Sequence, residues 1–285
     1  MLKKLKTKYR TGGLHGLQNA VRRRLLLLKQ PTNDPVKVAL EEILRGNDFT
    51  IVQIGAYVGN TVNDPLFLTL SSRMQEGRGR LICVEPVQMY FARLIENHRG
   101  IPGVFFENVA ISDQPGPATF YRLGVDPAKY GFPDFLSQLG SLKEHRMRSL
   151  WDRFEADKEI QAFFLEHRIE ERVNCITFTE LLRRHKLLTV DLLQMDVEGY
   201  EWEILRTIDF ARIPIRFVNY ECTLLHQCKQ EAERLMRDSG YNLFDHGLDT
   251  FCYKDTDRHL PRRWKAKIWN VALSLATEFG KEPLK

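Results

Sequence analysis

An α/β fold built on a mostly parallel central sheet, with helices on both faces, is what three features of the sequence predict. Short runs such as 49–54, 80–84 and 190–195 are apolar on both parities, the pattern of strands covered on both faces. Segments with apolar residues at helical spacing separate these runs, which makes βαβ units whose right-handed crossovers bring the strand C-terminal ends to one rim. The length of 285 residues, with 43% hydrophobic and 28% charged, suffices for a sizeable core and excludes a disordered, collagenous or low-complexity chain.

In chain order, Asp34 and Pro35 have the chemistry of a helix start that Gly46 ends, and Val36, Ala39, Leu40, Ile43 and Leu44 share one face. The strand over 49–54 stops at Gly55. Asp64 and Pro65 open a helix to about Gln75; the strand over 80–84 runs into Glu85 and Pro86; a helix follows over 87–97, and a third strand over 104–106 ends near Asn108. Residues 109–112 and 118–122 flank Asp113-Gln-Pro-Gly-Pro117 and read as a hairpin at the rim. From 133 to 171 the pattern is helical and heavily charged, with Leu150, Trp151, Phe154, Ile160, Phe163 and Phe164 as packing residues, so the stretch over about 124–171 is predicted as an inserted helical cap.

The sheet resumes at 173–176, and Thr177 with Glu180 has capping-box spacing for a helix to about His185. Strands over 190–195 and 216–220, a helix over 231–239 stopped by Gly240, and a closing pair over 241–244 and 250–253 complete the domain. Trp264, Ile268, Val271, Leu275 and Phe279 recur at helical spacing near the end. The predicted organisation is a basic arm over 1–33, a domain over 34–254, and a basic segment with an amphipathic helix over 255–285.

Charge is unevenly placed. The first 30 residues hold nine Lys or Arg and no acid, so a net charge of +5 leaves −4 for the rest. Such an arm, followed by Leu25 to Leu28, suits a peripheral contact with an anionic membrane surface or an acidic glycan, against the alternative of a solvated terminus. The apolar run there is far short of the ~20 residues that cross a bilayer, and no small-residue cleavage site follows it. Five cysteines without a C-x-x-C pair read as buried cytosolic thiols. The resulting expectation is a cytoplasmic protein, peripheral at most at the inner membrane surface. No zinc finger or aromatic-interleaved basic motif points to nucleic acid. The last amphipathic helix could bury its face on the body or in a homodimer.

Ligands of open α/β sheets bind beyond the strand C-terminal ends, where the strand order reverses. Three such ends carry unusual groups. Gln53-Ile-Gly55-Ala56-Tyr-Val-Gly59 places small residues behind a strand, where a ligand can approach the backbone and turn amides can face an anion or carboxylate. Glu85 follows the second strand, where a carboxylate can accept from both hydroxyls of a ribose. Asp196, Glu198 and Glu201 stand within six positions after the strand ending at Met195, although Glu201 would also serve as the acidic first residue of a helix.

Taken together, Ile51-Val-Gln-Ile-Gly-Ala56 with Gly59, Val84-Glu-Pro86, Asn108-Val-Ala-Ile-Ser-Asp113, Asp191-Leu-Leu-Gln-Met-Asp-Val-Glu-Gly-Tyr-Glu-Trp-Glu-Ile-Leu205, Tyr220-Glu221 and Gly240-Tyr241 resemble the FkbM family of S-adenosylmethionine-dependent methyltransferases. The resemblance spans about 49–253, with the D-x-E-G-x-E block its most specific piece. It implies a Rossmann-like class I methyltransferase fold and an acceptor hydroxyl on a sugar, polyketide or related metabolite. The sequence departs from the family at Tyr57 and Val58, where Asn and then Asp or a small apolar residue often stand.

By that resemblance Gly55, Ala56 and Gly59 would meet the methionine moiety of the donor, Glu85 the ribose, and Asn108, Val109 and Ala110 the adenine edge. Asp196 and Glu221 would end adjacent strands, a place where methyltransferases of this fold can hold a divalent ion; oxygen ligands there would suit Mg2+. A hydroxyl is a poor nucleophile near neutral pH, so His145, His226, Asp196 and Glu221 are the candidate catalytic groups, His246 a weaker one, with Glu198 and Ser141 against the acceptor. The expected reaction is O-methylation of a sugar or glycoconjugate hydroxyl. N- or carboxyl-methylation of a small metabolite, and a non-catalytic nucleoside-binding protein of the same fold, are the alternatives.

Overall fold

The computed structural model describes residues 34–46, 48–61, 64, 66–144 and 158–254. The predicted basic arm and C-terminal amphipathic helix, together with His145, Leu150, Trp151 and Phe154, lie outside the described residues. The chain divides into two compact units; their described parts are 34–117 with 173–254, and 118–144 with 158–172.

In the first unit a seven-stranded sheet has the order β10-β11-β9-β8-β1-β2-β3. Its strands are β1 (Thr50–Ile54), β2 (Arg80–Val84), β3 (Val104–Glu107), β8 (Val190–Met195), β9 (Ile215–Glu221), β10 (Asn242–His246) and β11 (Asp249–Tyr253). The five from β3 to β9 pair parallel, and β11 pairs antiparallel with both β9 and β10. The chain moves outward from β1 through β2 to β3, then returns to lay β8 on the other side of β1. The order therefore reverses between β1 and β8, and such a reversal is where open α/β sheets bind their ligands.

Alternate residues of these strands face two separate cores. On one side Ile51, Leu81, Cys83, Leu192, Phe217 and Phe251 pack with α1 (Pro35–Ile43), α2 (Phe67–Gln75) and α3 (Gln88–Asn97). On the other, Val52, Ile54, Ile82, Val84, Leu193, Met195, Val218 and Tyr220 pack with α5 (Phe178–His185), α6 (Glu201–Leu205) and α7 (Lys229–Asp238). Apolar residues on both parities are thus explained by two helical layers. Asp34 caps α1 by accepting from Val36 N at 2.9 Å, and Asp64, just ahead of α2, accepts from Leu66 N at 2.8 Å and Phe67 N at 3.3 Å. Thr177 caps α5, accepting from Glu180 N at 3.2 Å. The Glu180 carboxylate instead pairs with Arg183 and Arg184.

The hairpin expected around Asp113 does not form. Of its two halves, β4 (Ala110–Ile111) pairs parallel with the end of β7 (Arg168–Ile176), while β5 (Gly116–Leu123) pairs antiparallel with β6 (Gly140–Ser141). A proline-glycine turn can reverse a chain without its flanks bonding to each other when each pairs elsewhere, here β4 with β7 and β5 with β6. In the second unit the segment expected as a helical cap contains α4 (Lys158–His167), two 3-10 turns (Pro127–Tyr130 and Asp134–Gln138) and strand. Arg168–Glu171, read as helical from its charges, is extended. Ile160, Phe163 and Phe164 are buried as expected, and Phe163 stacks on Phe132 with ring centroids 4.2 Å apart.

Among the described residues no helix is long and apolar enough to cross a membrane. All five cysteines are free thiols, four of them buried.

Candidate active site

The turn after β1 is shaped by its neighbours. Gly55 adopts φ 82°, and a Cβ there would lie 1.9 Å from the Asp196 carbonyl oxygen; Asp196 N in turn donates to Ile54 O at 3.0 Å. The ends of β1 and β8 are therefore in backbone contact, which only glycine permits. Gly59, at φ 71°, is held against α3, since a Cβ would come within 2.4 Å of both Leu94 and His98 side-chain atoms. The turn's amides at 55, 56, 57 and 59 are bonded within the chain, one of them to a carboxylate. Gly55 N and Ala56 N both donate to Val84 O at 3.0 Å, Gly59 N donates to Ala56 O at 2.9 Å, and Tyr57 N donates to Glu85 Oε2 at 2.9 Å.

Glu85, buried at the end of β2, also accepts from Val87 N at 2.8 Å through Oε1. Two main-chain donors thus fix both carboxylate oxygens. Asn108 anchors this strand end, its Nδ2 donating to Glu85 O at 2.9 Å and Pro86 O at 3.1 Å. Val109 and Ala110 are buried beside it.

Beyond β8 and β9, which pair in parallel, Asp196, Glu198 and Glu221 converge until one carboxylate oxygen from each lies within 4.8 Å of the others. Asp196 is exposed, and Glu221 is buried and accepts from Thr223 Oγ1 at 3.0 Å. Glu198 sits at φ 53°. A fourth acid organises this turn. Glu201, fully buried at the start of α6, folds its carboxylate back to accept from Val197 N at 2.9 Å and Gly199 N at 3.0 Å. Burial, followed by the nearby Glu221 and then Asp196, pushes its pKa well above the usual glutamate range. Sequence reading left Glu201 as an N-terminal helix acid; the glycine two positions before it was the available hint of a turn that closes back on its side chain.

The D-x-E-G-x-E block is joined directly to the segment over 108–113. Tyr200 Oη donates to Asp113 Oδ1 at 2.8 Å, and Arg206 pairs with the other Asp113 oxygen. Burial and the adjacent Asp113 raise the Tyr200 phenol pKa.

The remaining candidates do not belong to the carboxylate group, and His145 lies outside the described residues. His226 is exposed at φ 46° and opens a 3-10 turn, with no side-chain hydrogen bond among the described residues. Ser141 belongs to the second unit, buried on β6, its hydroxyl accepting from Lys143 N at 3.2 Å. His246 donates from Nε2 to Asn219 Oδ1 at 2.9 Å, since Asn219 uses its Nδ2 to donate to Asp249 at 2.8 Å. Burial lowers the His246 pKa.

A sheet whose order reverses beside a glycine turn, with a buried acid ending the next strand, has the layout of class I S-adenosylmethionine-dependent methyltransferases. The family model described as the methyltransferase FkbM domain matches residues 53–243, and the chain belongs to that family. Two solved structures that match are a ribosomal protein L11 methylase from Lactobacillus delbrueckii subsp. bulgaricus, 8% identical over 76% of this chain and 77% of that one with a TM-score of 0.32, and a fibrillarin pre-rRNA processing protein from Methanococcus jannaschii, 9% identical over 78% and 74% with a TM-score of 0.36. The search of curated proteins returned no match. The protein is an S-adenosylmethionine-dependent methyltransferase.

Proposed function

We propose that this methyltransferase O-methylates a hydroxyl of a sugar, glycoconjugate or related metabolite. The observation that carries the reading is the exposed Asp196 carboxylate beside Glu198 and Glu221, on the residue whose own backbone meets the glycine turn after β1. A hydroxyl presented there meets a carboxylate able to accept its proton as its oxygen bonds to the transferred carbon. The same negative field disfavours the alternatives. It repels a carboxylate acceptor, and it raises the pKa of an amine, keeping the lone pair protonated.

The residues present fit the donor. Glu85, with both oxygens fixed by main-chain donors, offers acceptors to the ribose hydroxyls, and the turn over 55–59 forms the adjoining wall. When bound, S-adenosylmethionine supplies an electrophilic sulfonium methyl. The chain's own task is alignment: it holds donor and hydroxyl in line and excludes water.

A divalent cation is a second reading, favoured by the three converging carboxylates, whose mutual repulsion a cation would relieve. Oxygen ligands of this kind suit Mg2+. Incubation with labelled donor and candidate glycans or cell extract, followed by mass spectrometry, should show a gain of one methyl on an oxygen; a methylated nitrogen or carboxylate overturns O-methylation. Full activity after exhaustive chelation, with metal analysis showing none retained, removes the cation.

A further inference from the structure

Four described non-glycine residues adopt positive φ: Tyr57, Lys186, Glu198 and His226. Lys186 is the left-handed cap that ends α5, and Glu198 and His226 shape the turns after β8 and β9. Tyr57 is different, because a bulky side chain is strained at its φ of 50° while both glycines of the same turn adopt such angles freely. Its N–H bond to Glu85 Oε2 does not account for a tyrosine, since glycine would make that bond without strain. Core packing does not account for it either, as the residue is only half-buried. What the conformation achieves is to set the ring against Tyr90, with centroids 4.5 Å apart and planes tilted by 58°, on a turn whose own peptide touches Glu85. Tyr90 itself is buried in the first turn of α3 and forms a firm backing. Strain held by its surroundings at a ligand-binding turn points to function.

We infer that Tyr57 is a donor-binding residue whose ring, backed by Tyr90, covers the sugar face of the nucleoside held by Glu85. The inference rests on the assignment of Glu85 to the donor ribose. A rigid aromatic face removes the C–H side of the sugar from water while the carboxylate takes its hydroxyls, so the contact belongs to donor and product alike.

Calorimetry with S-adenosylmethionine and S-adenosylhomocysteine tests it on wild type, Tyr57→Gly and Tyr57→Phe, with Tm measured for each. Tyr57→Gly should weaken both ligands by roughly tenfold without lowering Tm, and Tyr57→Phe should keep both within about twofold. Affinity retained in Tyr57→Gly, with or without a fall in Tm, overturns the inference and leaves the ring as packing. A loss confined to S-adenosylmethionine also overturns it, since that places the ring at the sulfonium. If wild type binds neither ligand, the donor assignment of Glu85 fails and this inference with it; if Glu85→Ala abolishes binding while Tyr57→Gly does not, only the inference fails.

Discussion

At the scale of single residues, the site depends on groups whose substitution has separable consequences. Gly55→Ala would force a Cβ into the Asp196 carbonyl at an angle unfavourable to alanine, so we expect a loss of roughly 2–4 kcal/mol in urea unfolding. A loss below 1 kcal/mol would mean that the two strand ends separate easily, by the rough scale of ordinary surface changes. Glu85→Ala removes the acceptor of two main-chain donors, and calorimetry should show donor affinity falling about tenfold or more in protein that remains folded. For Asp196→Ala the expected pattern is a much larger fall in turnover than in donor binding, because its contacts matter at the reacting centre. Equal losses would make Asp196 a donor-site residue. Glu201 carries a pH dependence of known sign: with its folded pKa raised, the folded state retains a proton that the unfolded chain releases, so its contribution is fully present below the ordinary glutamate pKa and is lost as pH rises through the folded value. Urea midpoints measured across that window should decline with pH in wild type and flatten in Glu201→Gln; identical slopes would show that Glu201 is not the group responsible.

At the scale of elements, local sequence chemistry and tertiary pairing made different contributions. Helix starts were legible because a single side chain decides them: Asp34, Asp64 and Thr177 each accept from the first-turn amides as their types and positions imply. Thr177→Ala should cost about 1 kcal/mol in thermal or urea unfolding, and no measurable loss would show the cap to be redundant. The buried strands were legible for a similar reason, since apolar residues on both parities have no other economical placement. Elements with one wet face were not. Arg168–Glu171 carries charges that read as helical, yet pairing extends it, and Arg122 bonds Glu171 at 2.6 Å in that extended form. Likewise the Asp113 turn resembled a hairpin until β4 and β5 proved not to pair with each other.

At the scale of the whole molecule, donor binding is coupled to folding. S-adenosylhomocysteine at a hundred times its Kd should stabilise the fold by about 2.7 kcal/mol and raise Tm accordingly, and an unchanged Tm despite measured binding would show that the unfolding seen is not that of the donor-binding unit. The strand ends that carry Gly55, Glu85, Asp196 and Glu221 could be read from the chain because each ends a run whose apolar pattern requires burial, and right-handed crossovers align such ends on one rim. Which ends become neighbours is not a property of any run. The order β2-β1-β8-β9 decided it, bringing Asp196 and Glu198 to Glu221 and placing Gly55 on the Asp196 backbone. Glu201 shows the same division. Its position in the chain specified a helix start, but its burial, its bonds to Val197 and Gly199 and its raised pKa exist only once β8, β9 and α6 close around it. Composition and periodicity determine which segments must be covered; the packing of those covers determines which charges meet, because electrostatic coupling depends on distance in space and on lost water, and neither is written in the sequence of one segment.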